Sequence, residues 1–363
     1  ERTPSFTVTE EKQLFHCFSC GRGGNVFNFM QELESLSFPE SVVRVAELAH
    51  IPLDVEIPSS QQAIPQKERK LFAAHEKASE FYSHVLFNTK GGQEALHYLT
   101  DRGYTIDTLK EFGFGFSLKD RTQLTQLLQD LELTEQEMEA TGLFVESQTG
   151  FFDRFNQRIM IPLRNEHGQI VGFSGRVLPG YSDEFASQAK YLNSPETPLF
   201  AKRNFLFNFD LAKKNIRKEN KVILFEGYMD VIKAHQNGMK NAVALMGTNI
   251  DNNKLKEVLS LVKKITLSLD NDEAGSKAQI EIGNRIIETT DNIYKLKFSG
   301  AKDLDEFLTE KNSKNPDFDV ENYLRNNKEH FINYKIEYCK NDSKTNIEQR
   351  IKYKNELLVN IAY

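Results

Sequence analysis

Cysteine is scarce in this chain, with three residues in 363. Cys17 and Cys20 form one Cys-x-x-Cys pair, and Cys339 stands alone. No disulfide framework can be built from that set, so a reducing, cytoplasmic compartment is expected. Long apolar runs are missing too. None reaches the roughly 18 residues of a membrane-spanning helix, which excludes a helical membrane span. No secretory leader and no internal repeat are visible. Nor is there an excess of positive charge. The net charge is −6, which over the whole chain argues against a nucleic-acid partner. That total hides segregation: Arg154 to Lys218 carries 11 Lys and Arg against 5 Asp and Glu, a local excess of 6.

What is present supports folded domains. Apolar residues make up 39% and charged residues 27%, and the length allows two or three domains with their own cores. The sequence opens at Glu1 inside a motif already under way and stops at Tyr363 in a helical-looking stretch. A fragment of a longer protein is therefore expected.

Residues 1–25 read as a small β-rich piece, with Ser5-Phe6-Thr7-Val8 alternating and Gln13–His16 leading into Cys17. Two short helices follow. One has Val26, Phe29, Met30 and Leu33 on a single face. The next opens at Ser37 with Glu40 three residues on, a capping-box spacing, and carries Val42, Val43, Ala46 and Ala49. Three prolines and a Ser-Ser-Gln-Gln run mark 52–66 as a linker. From 68 to 140 the pattern is mainly helical, with Gly103 and Gly113 where C-caps belong. "RIMIPLRNEHGQIVGFSGRVL" predicts a β-hairpin turning at Asn165–Gly168. Residues 221–298 then alternate strand and helix: strands at 222–225, 242–246, 265–269 and 293–298, with helices from 229, around 251–262 and near 273–288. That alternation predicts an open parallel sheet. From about 315 the chain reads as polar and helical.

Acidic residues stand where such a sheet would put them to use. Ligands of open α/β sheets bind beyond the carboxyl ends of the strands. Glu226 follows the first strand, Asp270 follows the third, and Asp272 comes two residues later. Two carboxylates about 4 Å apart repel by roughly 4 kcal/mol at an effective dielectric near 20. A shared divalent cation removes that cost, and an all-oxygen set favours Mg²⁺ or Mn²⁺. Asp230, one helical turn past Glu226, and Asp303 and Asp305 in "KDLDEF" are further candidates. The plain alternative for these acids is a helix N-cap or a solvated charge. A basic middle beside an acidic metal site fits one nucleic-acid enzyme.

"FEGYMD" with "LDNDEAG" resembles the Toprim domain of bacterial primases, topoisomerases and some nucleases. "RTPSF", "FHCFSCGRGGNVFNFM", "RFNQRIMIPLRNEHGQIVGFSGRVL", "KYLNSPET" and "EGYMDVI" follow in the order seen in bacterial replicative primases of the DnaG type. The resemblance covers nearly the whole chain. It implies an α+β multidomain fold in five parts. These are a partial zinc-binding piece (1–51), a linker (52–67), a mixed α/β N-terminal subdomain of the core (68–219), a Toprim open parallel sheet (220–302) and the helical end of the core (303–363).

The resemblance also implies roles. Cys17 and Cys20 match the second half of a zinc site whose first Cys/His pair would precede "RTPSF". The intact protein is expected to bind zinc, and residues 1–363 to bind it poorly. Arg158, Arg176, Lys190 and Asn193 match a basic ridge for template and nucleotide, with Arg154, Tyr191 and Lys202 beside them. Arg suits phosphate through its two-pronged donor fork, and Tyr191 could stack a base. The implied activity is RNA primer synthesis from ribonucleoside triphosphates on single-stranded DNA, with Glu226 a metal ligand or a general base. A replicative helicase would be the partner of a further C-terminal domain.

Other classes remain to be weighed. A topoisomerase needs a tyrosine nucleophile, and nothing marks one of the 12 tyrosines. A nuclease needs neither the Cys-x-x-Cys piece nor the hairpin. A non-catalytic single-strand-binding module would leave the acids structural. A haloacid-dehalogenase-like phosphatase also uses Asp-x-Asp at a strand end, but would leave Glu226 unexplained.

Overall fold

The computed structural model describes residues 5–19, 21–34, 36, 38–51, 53, 66–179, 189–247, 250–298, 300–315 and 318–341. The chain divides into two compact units, residues 1–69 and 70–363.

In the first unit, β1 (Phe6–Thr9), β2 (Leu14–Cys17) and β3 (Gly23–Gly24) form an antiparallel sheet. Helices α1 (Val26–Glu34) and α2 (Phe38–Leu48) follow. The alternation in Leu14–Cys17 buries Phe15, whose ring packs on Phe6 at 5.6 Å and edge-on to Phe29 at 5.4 Å. Met30 and Ala46 complete this small core. The Cys17 N–H donates to Arg22 O and the Gly21 N–H to Cys17 O, which closes a tight loop after β2. Ser37, Cys20 and nearly all of the expected linker lie outside the described residues, so the capping box and the second thiol have no described geometry.

Helix α3 (Gln66–Asn88) runs from the end of the first unit into the second, and α4 (Gln93–Asp101) and α5 (Ile106–Glu111) follow. Gly103 and Gly113 follow α4 and α5 with φ of 76° and 70°, a left-handed turn that an L side chain resists. Next come β4 (Gly115–Phe116), α6 (Gln123–Leu127), α7 (Glu135–Thr141), β5 (Phe144–Ser147), β6 (Gly150–Asp153), β7 (Arg158–Arg164), β8 (Ile170–Val177) and β9 (Tyr191–Asn193). Strands β7 and β8 are the expected hairpin, with Gly168 N–H donating to Asn165 O in its turn. The sheet order is β4-β7-β8-β9. Strand β4 escapes sequence reading because two residues carry no period.

The rest comprises α8 (Phe209–Glu219), β10 (Lys221–Phe225), α9 (Tyr228–Gln236), β11 (Ala242–Ala244), α10 (Asn252–Ser260), β12 (Lys264–Ser268), α11 (Glu273–Ile287), β13 (Ile293–Leu296), α12 (Leu304–Lys314), α13 (Val320–Asn326), β14 (Lys328–His330) and α14 (Phe331–Asn341). The sheet order is β11-β10-β12-β13-β14, and its first four strands are parallel. The unbroken apolar run of β10 is explained by burial on both faces. Val222 and Leu224 enter one core with Leu267 and Ile293, while Ile223 and Phe225 enter another with Ile159, Ile161 and Phe307. That second core spans the hairpin and the parallel sheet, so the two are packed as one body.

Three expectations change in detail. Strand β11 stops at Ala244 instead of Met246, because Met246 (φ 57°) and Gly247 (φ 139°) turn the chain away. Strand β13 ends at Leu296 rather than Phe298. The segment after 315 is not purely helical: β14 adds an antiparallel edge to β13. Three residues with two charges give no strand pattern, so only pairing reveals it.

Candidate active site

Strands β10 and β12 are parallel neighbours, with Phe225 opposite Ser268. Glu226 therefore leaves the same sheet edge as Asp270, two residues past β12. The turn between Asp270 and α11 is tight. A Cβ on Gly275 would stand 2.3 Å from Asp270 O, so only glycine fits there. Its N–H donates to Asp272 Oδ1 at 2.8 Å, making Asp272 the N-cap of α11. That bond holds the Asp272 carboxyl below its usual range, with Lys302 assisting. Burial pushes Glu226 up, and the Asp270 charge adds to it.

The Lys302 ammonium lies 3.2 Å from both Asp270 Oδ2 and Asp272 Oδ2. These two carboxylates raise its pKa. Among the described residues, no three His, Cys, Asp or Glu side chains stand together closely enough to hold a metal ion as they are. A cation nevertheless fits the acids. Glu226 Oε2 is buried with no hydrogen-bond partner among the described residues, and a positive charge already bridges the two aspartates. The Cys17 end differs. A structural zinc site needs four ligands, and Cys17 is the one described member of its pair.

Asp230, in the first turn of α9, is buried and accepts the Asp305 N–H at 2.9 Å. Burial and then Asp303 raise its pKa strongly. Asp303 caps α12 by accepting the Glu306 N–H, and burial raises it too. Asp305 is committed elsewhere, since one oxygen pairs with Arg102 and the other accepts from Tyr104 Oη at 2.6 Å.

These acids open on a cleft of about 1130 Å³. Glu226, Asp230, Asp270, Asp303 and Asp305 line it together with Arg176, Lys190, Tyr191 and Asn193 from β8, β9 and the residue before β9. Arg176 is buried; it donates to Tyr98 Oη at 2.6 Å and lies over the rings of Tyr98 and Tyr191, 5.4 and 5.5 Å from their centroids. Lys190 sits 5.6 Å from the Tyr191 centroid. Tyr191 stands edge-on to Tyr228 at 5.3 Å, and burial pushes its hydroxyl up to about 12. Ser174 Oγ lies 2.6 Å from both Asn193 Oδ1 and Tyr228 Oη.

Four of the site residues expected in the catalytic core are not in the cleft lining. Asp272 is outside it, though Lys302 ties it to Asp270. Lys202 is exposed and reaches towards Gly247 at the rim. Arg158 is buried and donates to the carbonyls of Gly175 and Ala189 at 3.0 and 3.2 Å, bracing β7 against β8. Arg154 is half-buried, and that burial lowers its pKa.

Sequence reading missed Lys302, Arg102 and Lys233. Lys302 directly precedes Asp303 in the quoted "KDLDEF", a signal that was available. Lys233 had none: an ordinary helical lysine by pattern, it is fully buried over the Tyr104 ring and donates to Arg102 O. Burial lowers its pKa to about 8.

The chain matches three family descriptions: a CHC2 zinc finger over residues 1–61, the N-terminal domain of the DNA primase catalytic core over 81–213, and a Toprim-like domain over 223–308. It is 48% identical over 283 residues to a DNA primase of Enterococcus faecalis, covering 77% of this chain and 45% of that protein. It is 37% identical over a 370-residue alignment to a DNA primase of Staphylococcus aureus, covering 100% of this chain and 59% of that protein. The chain thus spans about half of these relatives' length. Among solved structures it resembles the RNA polymerase domain of Mycobacterium tuberculosis primase DnaG in complex with a double-stranded DNA oligomer with a 6-nucleotide overhang. The TM-score there is 0.67 at 26% identity, over 81% of this chain and 91% of that one. With the three domain types in this order and a Toprim sheet presenting its acids at one edge, the chain belongs to the bacterial DNA primase family of the DnaG type.

Proposed function

We propose that this chain carries the RNA-polymerising centre of a DNA primase, joining ribonucleotides into a short primer on single-stranded DNA. The observation that carries this is the cleft itself. Carboxylates from two adjacent strand ends form one side, and a cation–aromatic wall of Arg176, Lys190 and Tyr191 lines the same cavity. Family relatives named as DNA primases, one of them solved with an overhanging DNA, support the reading.

Glu226, Asp270 and Asp272 would hold Mg²⁺ or Mn²⁺, with Asp230 and Asp303 behind them. A divalent cation bound there supplies charge neutralisation for the triphosphate and acidifies the attacking hydroxyl. Glu226, whose carboxyl burial pushes up, is also suited to take the proton from that hydroxyl. Lys302 would exchange its carboxylate partners for phosphate oxygens once the acids are otherwise engaged. Lys190 and Lys202 would meet template or nucleotide phosphates. Arg176, one guanidinium arm of which bonds Tyr98 Oη, would hold Tyr191 for stacking. Phosphoryl transfer asks mainly for such positioning and charge neutralisation. Cys17 and Cys20 would belong to a zinc site in the longer protein.

Primer synthesis from ribonucleoside triphosphates on a single-stranded template tests the reading. Mg²⁺-dependent RNA product is expected, and its absence in a folded, template-binding protein would overturn the proposal.

A further inference from the structure

The opposite edge of the parallel sheet carries charge of the other sign. Strands β10 and β12 both begin with lysine, and Lys221 pairs with Lys264 in register. Alternation sets Lys264 on the same face as Thr266, whose register partner on β13 is Tyr294. Tyr294 in turn pairs with His330 of β14, and Lys328 lies two residues before His330 on that face. The side chains converge accordingly. Lys264 Nζ lies 4.3 Å and Lys328 Nζ 5.6 Å from the centre of the Tyr294 ring, and His330 stands edge-on to that ring at 5.5 Å.

The neighbouring cations are neutralised, but this pair is not. Lys221 pairs with Glu219 at 2.7 Å, and Arg325 pairs with Glu321. Among the described residues no carboxylate forms an ion pair with Lys264 or Lys328. Both are half-buried. The π face of Tyr294 eases each charge, but among the described residues no carboxylate pairs with either to offset their mutual repulsion. Burial first, and then Lys264, push the Lys328 ammonium down to about 8. One anion with several acceptor oxygens would relieve both groups together.

We propose that Lys264 and Lys328, seated on Tyr294, form a second anion site that grips a phosphate group. A phosphate offers oxygens to both ammoniums from one centre. The site is separate from the catalytic acids. Lys264 precedes Asp270 by six residues along an extended strand, which sets them roughly 20 Å apart. The phosphate would come from the backbone of a nucleic-acid strand or from a free nucleotide.

Two measurements separate these sources. The first is fluorescence anisotropy of a labelled single-stranded oligonucleotide, titrated with the protein at several salt concentrations. The second is the rise in melting temperature caused by inorganic phosphate. Both are run on the unaltered chain, on Lys264→Gln/Lys328→Gln and on Lys264→Arg/Lys328→Arg. If the phosphate belongs to a strand, the Gln pair weakens oligonucleotide binding about fivefold at 0.1 M salt and lowers the salt slope by roughly 0.7, the value of one single-strand phosphate contact. If it belongs to a free nucleotide, the Gln pair loses the phosphate-induced stabilisation and leaves oligonucleotide binding unchanged. The Arg pair keeps either behaviour. Should the double Gln variant fail to fold, Lys328→Met alone carries the same comparison. Unchanged oligonucleotide affinity, salt slope and phosphate stabilisation in a folded Gln variant would overturn the proposal.

Discussion

The two walls of the cleft owe their geometry to different things. On the acidic wall, Glu226 and Asp270 are placed by backbone register, because two parallel strands end side by side and release their next residues together. On the basic wall, Arg176, Tyr191 and Asn193 are placed by side-chain partners: Tyr98 for Arg176, Tyr228 for Tyr191 and Ser174 for Asn193. Carboxylates delivered by strand ends keep acceptor capacity to spare, as the unpartnered Glu226 Oε2 shows. The cations of the other wall are partly spent on the fold. Charge type alone therefore does not say which residues meet a ligand; what matters is how many of their bonds the fold has already taken.

Asp305 gives the largest test of that distinction. It lies among the acids but behaves like the other wall, with both oxygens taken by Arg102 and Tyr104. Asp305→Ala leaves a half-buried guanidinium unpaired and is expected to cost about 3–5 kcal/mol in urea unfolding. A loss under 1 kcal/mol would return Asp305 to the metal-binding acids.

Glu226→Gln and Asp270→Asn should behave in the opposite way. Each is expected to lower primer synthesis by about 10²–10³-fold, the scale for losing one preorganised electrostatic group. Template binding and unfolding midpoint should stay near their original values. Near-normal synthesis by either variant would show that strand-end delivery does not by itself make a catalytic acid.

On the basic wall, Arg158→Ala removes a donor from the buried Gly175 carbonyl and from the part-buried Ala189 carbonyl, and is expected to cost about 1–3 kcal/mol of stability. Lys190→Ala should instead leave stability unchanged and lower the salt slope of single-strand binding by roughly 0.7. If both variants lose only affinity, Arg158 is a contact residue after all and the basic wall is less structural than its bonds suggest.

A smaller effect concerns the footing of the hairpin. Asp153 is buried and accepts from Tyr82, Ser117 and the Phe155 N–H, yet burial holds its carboxyl up at about 7. A carboxyl whose folded pKa exceeds its unfolded one stabilises the protein at low pH, and that contribution fades as pH rises through the folded value. Stability is therefore expected to fall between about pH 4 and 7 on this account. Urea unfolding of Asp153→Asn should show a flatter profile across that window. An identical profile would assign the pH dependence to other groups.

Legibility followed the same division. The Val222–Phe225 run, the Glu226 position, the Asp-x-Asp spacing and the hairpin turn were all readable, because each depends on local pattern and on a general rule for strand ends. Lys302 was within reach, adjacent to a residue already singled out. Lys233 and Arg102 were not, since a lysine within a helix or an arginine capping one looks solvated until another element closes over it. Strand β14 was hidden for a related reason: its three residues become a strand only through hydrogen bonds to β13.

The sequence by itself determined which acids stand at the strand ends, since strand length and spacing fix where a chain leaves a sheet. It also determined the order of the three domain types, which its motifs spell out. The tertiary structure alone decided which charges remain available. Lys302 answers Asp270 and Asp272, Arg102 answers Asp305, and Lys264 and Lys328 meet over Tyr294 with no carboxylate paired to either among the described residues. The reason is that a charge's function depends on its partners, and those partners come from elements far apart in the chain.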